Sequence, residues 1–411
     1  MSQETPSERR PQAETATGDE ALALIWSDAL LAAAHDPLEA ARLRQGHALL
    51  EACDVLRWRE LALVPPDLDL GSPAALSAFH EATYVESVEA LSEGQATLWS
   101  AQALGFSPES TLPFPGVAKQ AQGYVAAART AVRCLVEGTA TRAASIAGNQ
   151  PHAAANRSVN GDVFNDVLLA LKDARAAYDR VAFVSVEAEY PVTIAEHFAR
   201  DPGLLFISLH EAPAYLFPEA GYPREIGQGA GRGYTVNLPL APGSGPATVR
   251  RFWRELARPL LERFEPDLVV LLQGATAHYA EPLAHLAHTI ESYVELSTEI
   301  ATLAPRLALL GGDGSLPFLS AELWTTTIAA LVGRRNALPR RVPARFSDRF
   351  GQAEWSESQH AAPYSPTLDR FAGLEFERAL HEAQQALAPV WELPQTATRF
   401  GEQEAPSFVV A

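Results

Sequence analysis

Cysteine and lysine are both scarce in this chain, and no apolar run is long enough to cross a membrane. Two cysteines, Cys53 and Cys134, cannot build a disulfide framework, and no CxxC or Cys/His cluster marks a structural zinc site. A reducing cytoplasm is therefore the expected compartment. Lysine occurs only at Lys119 and Lys172, so arginine supplies nearly all positive charge. The opening MSQETPSERRPQAETATGDE has no apolar core, which argues against a signal peptide. Nothing approaches the roughly 20 apolar residues of a membrane span. Positive charge is also in deficit: 50 acidic residues against 32 basic ones leave a net charge of −18. Such a field repels nucleic acid and anionic membranes, and favours cationic partners.

What is present suits a large globular core: 47% of the 411 residues are hydrophobic and 20% charged. Residues 1–20 are polar and read as a disordered tail. From 21 to about 335, helical periodicity alternates with short apolar runs at Val181–Val186, Leu204–Leu209, Leu268–Leu272 and Leu307–Leu310. Runs without polar alternation belong to parallel strands covered on both faces. Helices are expected near Tyr124–Val136, after Pro246, and around Thr289–Leu303. The fold class is α/β, a parallel sheet sandwiched by helices. Residues 336–411 contain more proline and one helical stretch, Leu374–Leu387, and read as an extension packed on the domain.

Open parallel sheets bind ligands beyond the carboxyl ends of their strands. Here those ends lead to Glu187 and Glu189, to His210 and Glu211, to Thr276 and His278, and to Gly311–Ser315. A polar cleft follows, with no reaction yet attached to it.

The segment ISLHEAPAYLFPEAGYPREIGQGAGRGYTVNLPL, residues 207–240, resembles the histone deacetylase superfamily in its acetoin-utilization (AcuC-like) branch. HEATYVESV at 80–88, VFNDV at 163–167, GATAHYAEPLAHLAHT at 274–289 and GGDGS at 311–315 extend the likeness in family order. The resemblance implies a three-layer arginase/deacetylase-like domain and zinc-dependent C–N hydrolysis of an acetyl amide. In that chemistry zinc activates water, histidines move the proton and a tyrosine stabilises the oxyanion.

Transferred to this chain, those roles fall on unexpected residues. The catalytic histidine pair becomes Pro151 and His152, leaving His152 as the remaining catalytic imidazole. The zinc ligands become Glu187, Glu189 and Thr276, and two supporting aspartates become Ser185 and Val192. Ser315 stands for the oxyanion tyrosine, and Ser110 for the rim aspartate. The family's cofactor is thus expected to be lost with its ligands, and no other cofactor is implied.

Glu187 and Glu189, two apart on an expected strand, project to one side, either as a solvated strand end or as a new cation or amine site. His152 is either a remnant held by a backbone hydrogen bond or a residual base. His210 and His278 match positions outside the zinc shell and suit packing or support. Asp313 replaces a family glycine, and either enters the pocket or caps a turn. Three functions stay open. One is an inactive or repurposed deacetylase. Another is an active amidohydrolase with a carboxylate-rich manganese or magnesium site. The third is a module binding a cationic or acetylated small molecule or protein.

Overall fold

The computed structural model describes residues 22–95, 97–107, 112–358 and 365–393. The expected tail at 1–20 lies outside them, as does the end of the C-terminal extension.

The four apolar runs form β4 (Val181–Ser185), β5 (Leu204–Glu211), β7 (Leu268–Gln273) and β8 (Leu307–Gly311). They lie side by side as β8-β7-β4-β5 at the centre of one sheet. Every residue of β4, β5, β7 and β8 is buried, because helices cover both faces. Four further strands complete it: β1 (Leu22–Ile25), β2 (Leu61–Val64), β3 (Arg142–Ser145) and β6 (Thr235–Leu240). The order is β2-β1-β3-β8-β7-β4-β5-β6, and all pairings are parallel. This is the single α/β sheet between helical layers that the periodicity implied.

The expected helices are present, longer than expected at Val117–Val136 and Pro366–Leu387 and shorter at Ile290–Ile300. The helix after Pro246 is interrupted by a π-helical turn, Trp253–Ala257. Pro259 explains the register change: it has no N–H, and its ring excludes the carbonyl four residues back. That carbonyl, on Glu255, instead accepts a hydrogen bond from Gln384 Nε2 at 3.2 Å. The donor sits on the helix Pro366–Leu387, which also covers the edge strand β6. Trp391 Nε1 donates to Gly233 O at 2.7 Å and secures the same flank.

One expectation is corrected by the local backbone. β4 ends at Ser185, and residues 186–190 leave the sheet as an irregular bend. Glu187 and Glu189 therefore converge through loop geometry and not through strand alternation.

The ends of β7 and β8 meet closely enough to exclude side chains. A Cβ on Gly312 would lie 1.9 Å from Gly274 Cα, with backbone on both sides. Gly312→Ala is expected to cost at least about 4 kcal/mol, read as a lower denaturant midpoint or loss of soluble protein. Wild-type stability in that variant would mean the two strand ends are not in contact.

Candidate functional site

The loop after β3 builds one wall of the site. Gly148 and Asn149 adopt φ of +102° and +80°, turning the chain so that two amides face one carboxylate. Asp166 accepts from Asn149 N at 2.9 Å and from Gln150 N at 2.7 Å. Only glycine fits at 148, since a Cβ would lie 2.1 Å from Asp166 Oδ2. Burial raises Asp166 to about 6, partly countered by these amides.

His152 and Asp162 follow on the same wall. His152 N donates to Asp162 Oδ2 at 2.7 Å, and His152 O accepts from Thr193 Oγ1 at 2.8 Å. The backbone is thus held on both sides, while the imidazole is not held by a backbone bond as expected. Its Nδ1 is buried and has no partner among the described residues. Burial lowers the His152 pKa to about 4, so the ring is neutral at pH 7. Burial pushes Asp162 well above the usual carboxylate range, and Asp313, Asp166 and Glu189 add repulsion.

The facing wall comes from the bend after β4 and the loop after β7. Thr276 Oγ1 donates to Glu187 Oε2 at 2.5 Å and accepts from Ala188 N at 2.8 Å. Glu187 is 3% exposed, and its Oε1 has no partner among the described residues. Burial raises Glu187 well above its ordinary value, with Glu189 and Asp313 contributing. Glu189 rises to about 7, again chiefly through burial, then through the nearby Asp313. Together with Pro151, His152 and Asp162, these carboxylates line a cavity of about 10 Å³, the room one water-sized group needs.

Asp313 both enters this pocket and caps its own turn, accepting from Gly314 N at 2.8 Å. It also pairs with Arg42, a buried guanidinium on the helix Pro37–Ala52 that pairs with Glu39 and donates to Gly314 O at 2.7 Å. A second cavity of about 220 Å³ adjoins the first, sharing Asn149, Asn160, Asp162 and Asp313.

The other anticipated residues are placed elsewhere. His210 is a packing residue, bonded to Ser208 Oγ at 2.9 Å and Gly221 O at 3.0 Å against Tyr190. His278 supports: its Nδ1 accepts from Ala280 N at 3.1 Å, so Nε2 carries the proton toward Glu357, 3.3 Å away. Ser315 does not line the small cavity, and its backbone N–H goes to Glu281 Oε2 at 2.8 Å. Ser185 Oγ is buried without a partner among the described residues, and Val192 opens the helix Val192–Phe198. Ser110 lies outside the described residues. Sequence reasoning missed Arg42, Asn149, Asn160 and Asp162. Only Asp162 had a signal, as an acid directly preceding the VFNDV motif.

The zinc that the resemblance implies does not fit this donor set. Thr276 offers a hydroxyl already committed to Glu187 and Ala188, and Glu187 has one oxygen engaged in return. Among the described residues, no group of three or more His, Cys, Asp or Glu is placed to hold a metal ion. Nor is any described helix long and apolar enough to cross a membrane.

Comparison with known proteins agrees with the architecture. The chain is 30% identical over 266 residues to acetoin utilization protein AcuC of Bacillus subtilis, covering 62% of this chain and 69% of that protein. It is 27% identical over 377 residues to AcuC of Staphylococcus aureus strain Mu50, covering 88% and 96%. The model of the histone deacetylase domain matches residues 36–331. That match spans most of the chain and agrees with the parallel α/β sheet, so the chain belongs to the histone deacetylase family.

Proposed function

We propose that this chain keeps the deacetylase scaffold and has given up zinc-dependent hydrolysis, using the pocket for binding. The observation that carries this reading is the Thr276–Glu187 hydrogen bond, which joins two inherited ligand positions to each other. A threonine hydroxyl does not ionise near neutral pH, and zinc sites rely on deprotonated or imidazole donors. The second catalytic imidazole is Pro151, which carries no proton, and Ser315 is far shorter than a phenol. Any retained role belongs, in this reading, to the setting of its acetoin utilization relatives. Cys53 and Cys134 are both free and suit a reducing cytoplasm. The extension from residue 336 is part of the same unit, since its Glu357 meets His278.

Purified chain supplied with zinc is expected to leave acetyl-lysine peptides uncleaved above the rate of a heat-denatured control. Zinc-dependent turnover abolished by a chelator would overturn the proposal.

A second reading rests on Glu187, Glu189, Asp162 and Asp313 lining one small cavity with His152, although among the described residues no three such groups are placed as metal ligands. Oxygen-rich sites suit manganese or magnesium, and such a centre would support amide hydrolysis by a non-standard route. Manganese-dependent turnover lost in Glu187→Gln and Glu189→Gln would establish it.

A further inference from the structure

We propose that the small cavity seats the ammonium head of a primary alkylamine, its N–H groups directed at Glu187, His152 and Asn149 and its charge balanced by the neighbouring Glu189 and Asp162. This deepens the binding role above and rests on the pocket holding no zinc.

Unmet acceptors point to the ligand. His152 Nδ1, Glu187 Oε1 and Asn149 Oδ1 are buried, line the same cavity, and have no partner among the described residues. His152 is 6% exposed and Glu187 3%. All three atoms can accept, His152 Nδ1 with its ring proton on Nε2 and Glu187 Oε1 as the carboxylate that a neighbouring cation favours, so a space for one water-sized group among them matches a compact body with three donors. A water donates two hydrogens, whereas an R–NH₃⁺ head donates three and accepts none. Leaving such groups unsatisfied is unfavourable, more so where charge is involved.

Charge points the same way. Asp162, Glu187 and Glu189 line the cavity without a cation among their described partners, while the half-exposed Asp313 beside them is already paired with Arg42, which also pairs with Glu39. Buried carboxylates without a cation are unfavourable, and a seated ammonium supplies it. A metal ion is a poorer match, since no three of these side chains are arranged as ligands.

The neighbouring space suits the rest of such a molecule. The 220 Å³ cavity meets the small one at Asp162 and Asp313, and its mostly polar wall includes one apolar strip of Phe114, Val117 and Ala121. An alkyl chain of a few carbons can leave the head and lie on that apolar side. Each buried methylene tightens binding by roughly fourfold.

The test is the melting temperature of the full chain titrated, at constant ionic strength, with methylammonium, n-butylammonium, tetramethylammonium or potassium chloride. Ligands that bind the native state raise it saturably. The primary amines are expected to do so, n-butylammonium binding about tenfold or more tighter than methylammonium. Tetramethylammonium, without N–H donors, is expected to match potassium chloride. Glu189→Gln and Asp162→Asn should each weaken n-butylammonium binding by about tenfold or more. If both variants fail to fold by circular dichroism, the contrast between primary and quaternary ammonium decides alone. Equal shifts from all four salts, or none from the amines, overturn the inference while leaving the zinc-free reading standing. Stoichiometric zinc in the protein as purified would overturn both.

Discussion

The combined substitutions Glu187→Asp, Glu189→His and Thr276→Asp are expected to raise zinc affinity by about 10³-fold or more. The strands behind those positions are firmly placed: β4 and β7 are paired in register and fully buried, and the loops that follow them carry all three residues. What is missing is donor chemistry. Aspartate at 276 replaces a hydroxyl with a carboxylate and removes the bond that now engages Glu187. Histidine at 189 supplies a nitrogen donor, where Glu189 adds only another repelling charge. Competition against a chromophoric chelator reads the gain directly. Turnover is not expected to return with the metal, because Pro151 and Ser315 still lack the proton carrier and the phenol. A variant that binds zinc no better than wild type would show that the loops, and not the donors, have diverged.

The second large effect concerns pH. Glu189 and Glu322 are raised to about 7 and Asp166 to about 6, each chiefly by burial. Folded values above the unfolded ones mean that their contribution is complete below the ordinary carboxylate range. It is lost as pH rises through those folded values. His80, His152 and His210 are lowered to about 4, and His288 to about 3, again by burial. Their contribution has the opposite sign: present above the unfolded histidine value and lost as pH falls toward 4. Between about pH 4.5 and 6.5 the two groups offset each other. Above about 6.5 the histidines add nothing more, while Glu187 and Asp162 go on resisting ionisation. The melting temperature is therefore expected to hold a plateau in mildly acidic buffer and to fall from pH 6.5 to 8.

Glu189 titrates within this window, so one substitution tests the assignment. An amide in its place needs no ionisation, and Glu189→Gln is expected to gain up to about 3 kcal/mol at pH 8 and little at pH 5. Solvent at the partly exposed edge of Glu189 reduces the gain. A variant that loses stability at pH 8 would mean that the carboxylate is satisfied where it stands. Stability given up in this way, in return for a pocket rich in acceptors, is the pattern expected of a binding site.

Much of this fold was legible because its signals are local. Four strands appear as apolar runs, since the central strands are buried on both faces and need no polar alternation. β1, β2 and β3 were missed because each has only four residues, and LALI, LALV or RAAS is no stronger in periodicity than many helical segments. The π-helical turn is readable only after the fact, through Pro259 and the carbonyl that Gln384 satisfies. The substituted ligand positions were legible through resemblance, whereas the way Glu187 meets Thr276 required coordinates. Arg42 was invisible as a site residue because its partner Asp313 lies 271 positions away, and nothing in the sequence of its helix distinguishes it. Asp162 enters the pocket through a loop whose left-handed turn at Gly148 and Asn149 no pattern of hydrophobicity encodes.

Zinc titration of the wild-type chain, purified without chelators and followed by elemental analysis after dialysis, bears most directly on the account. The expected result is substoichiometric zinc that Glu187→Gln and Thr276→Val leave unchanged, because neither side chain is then a ligand. One tightly held zinc per chain, lost in those variants, would contradict it.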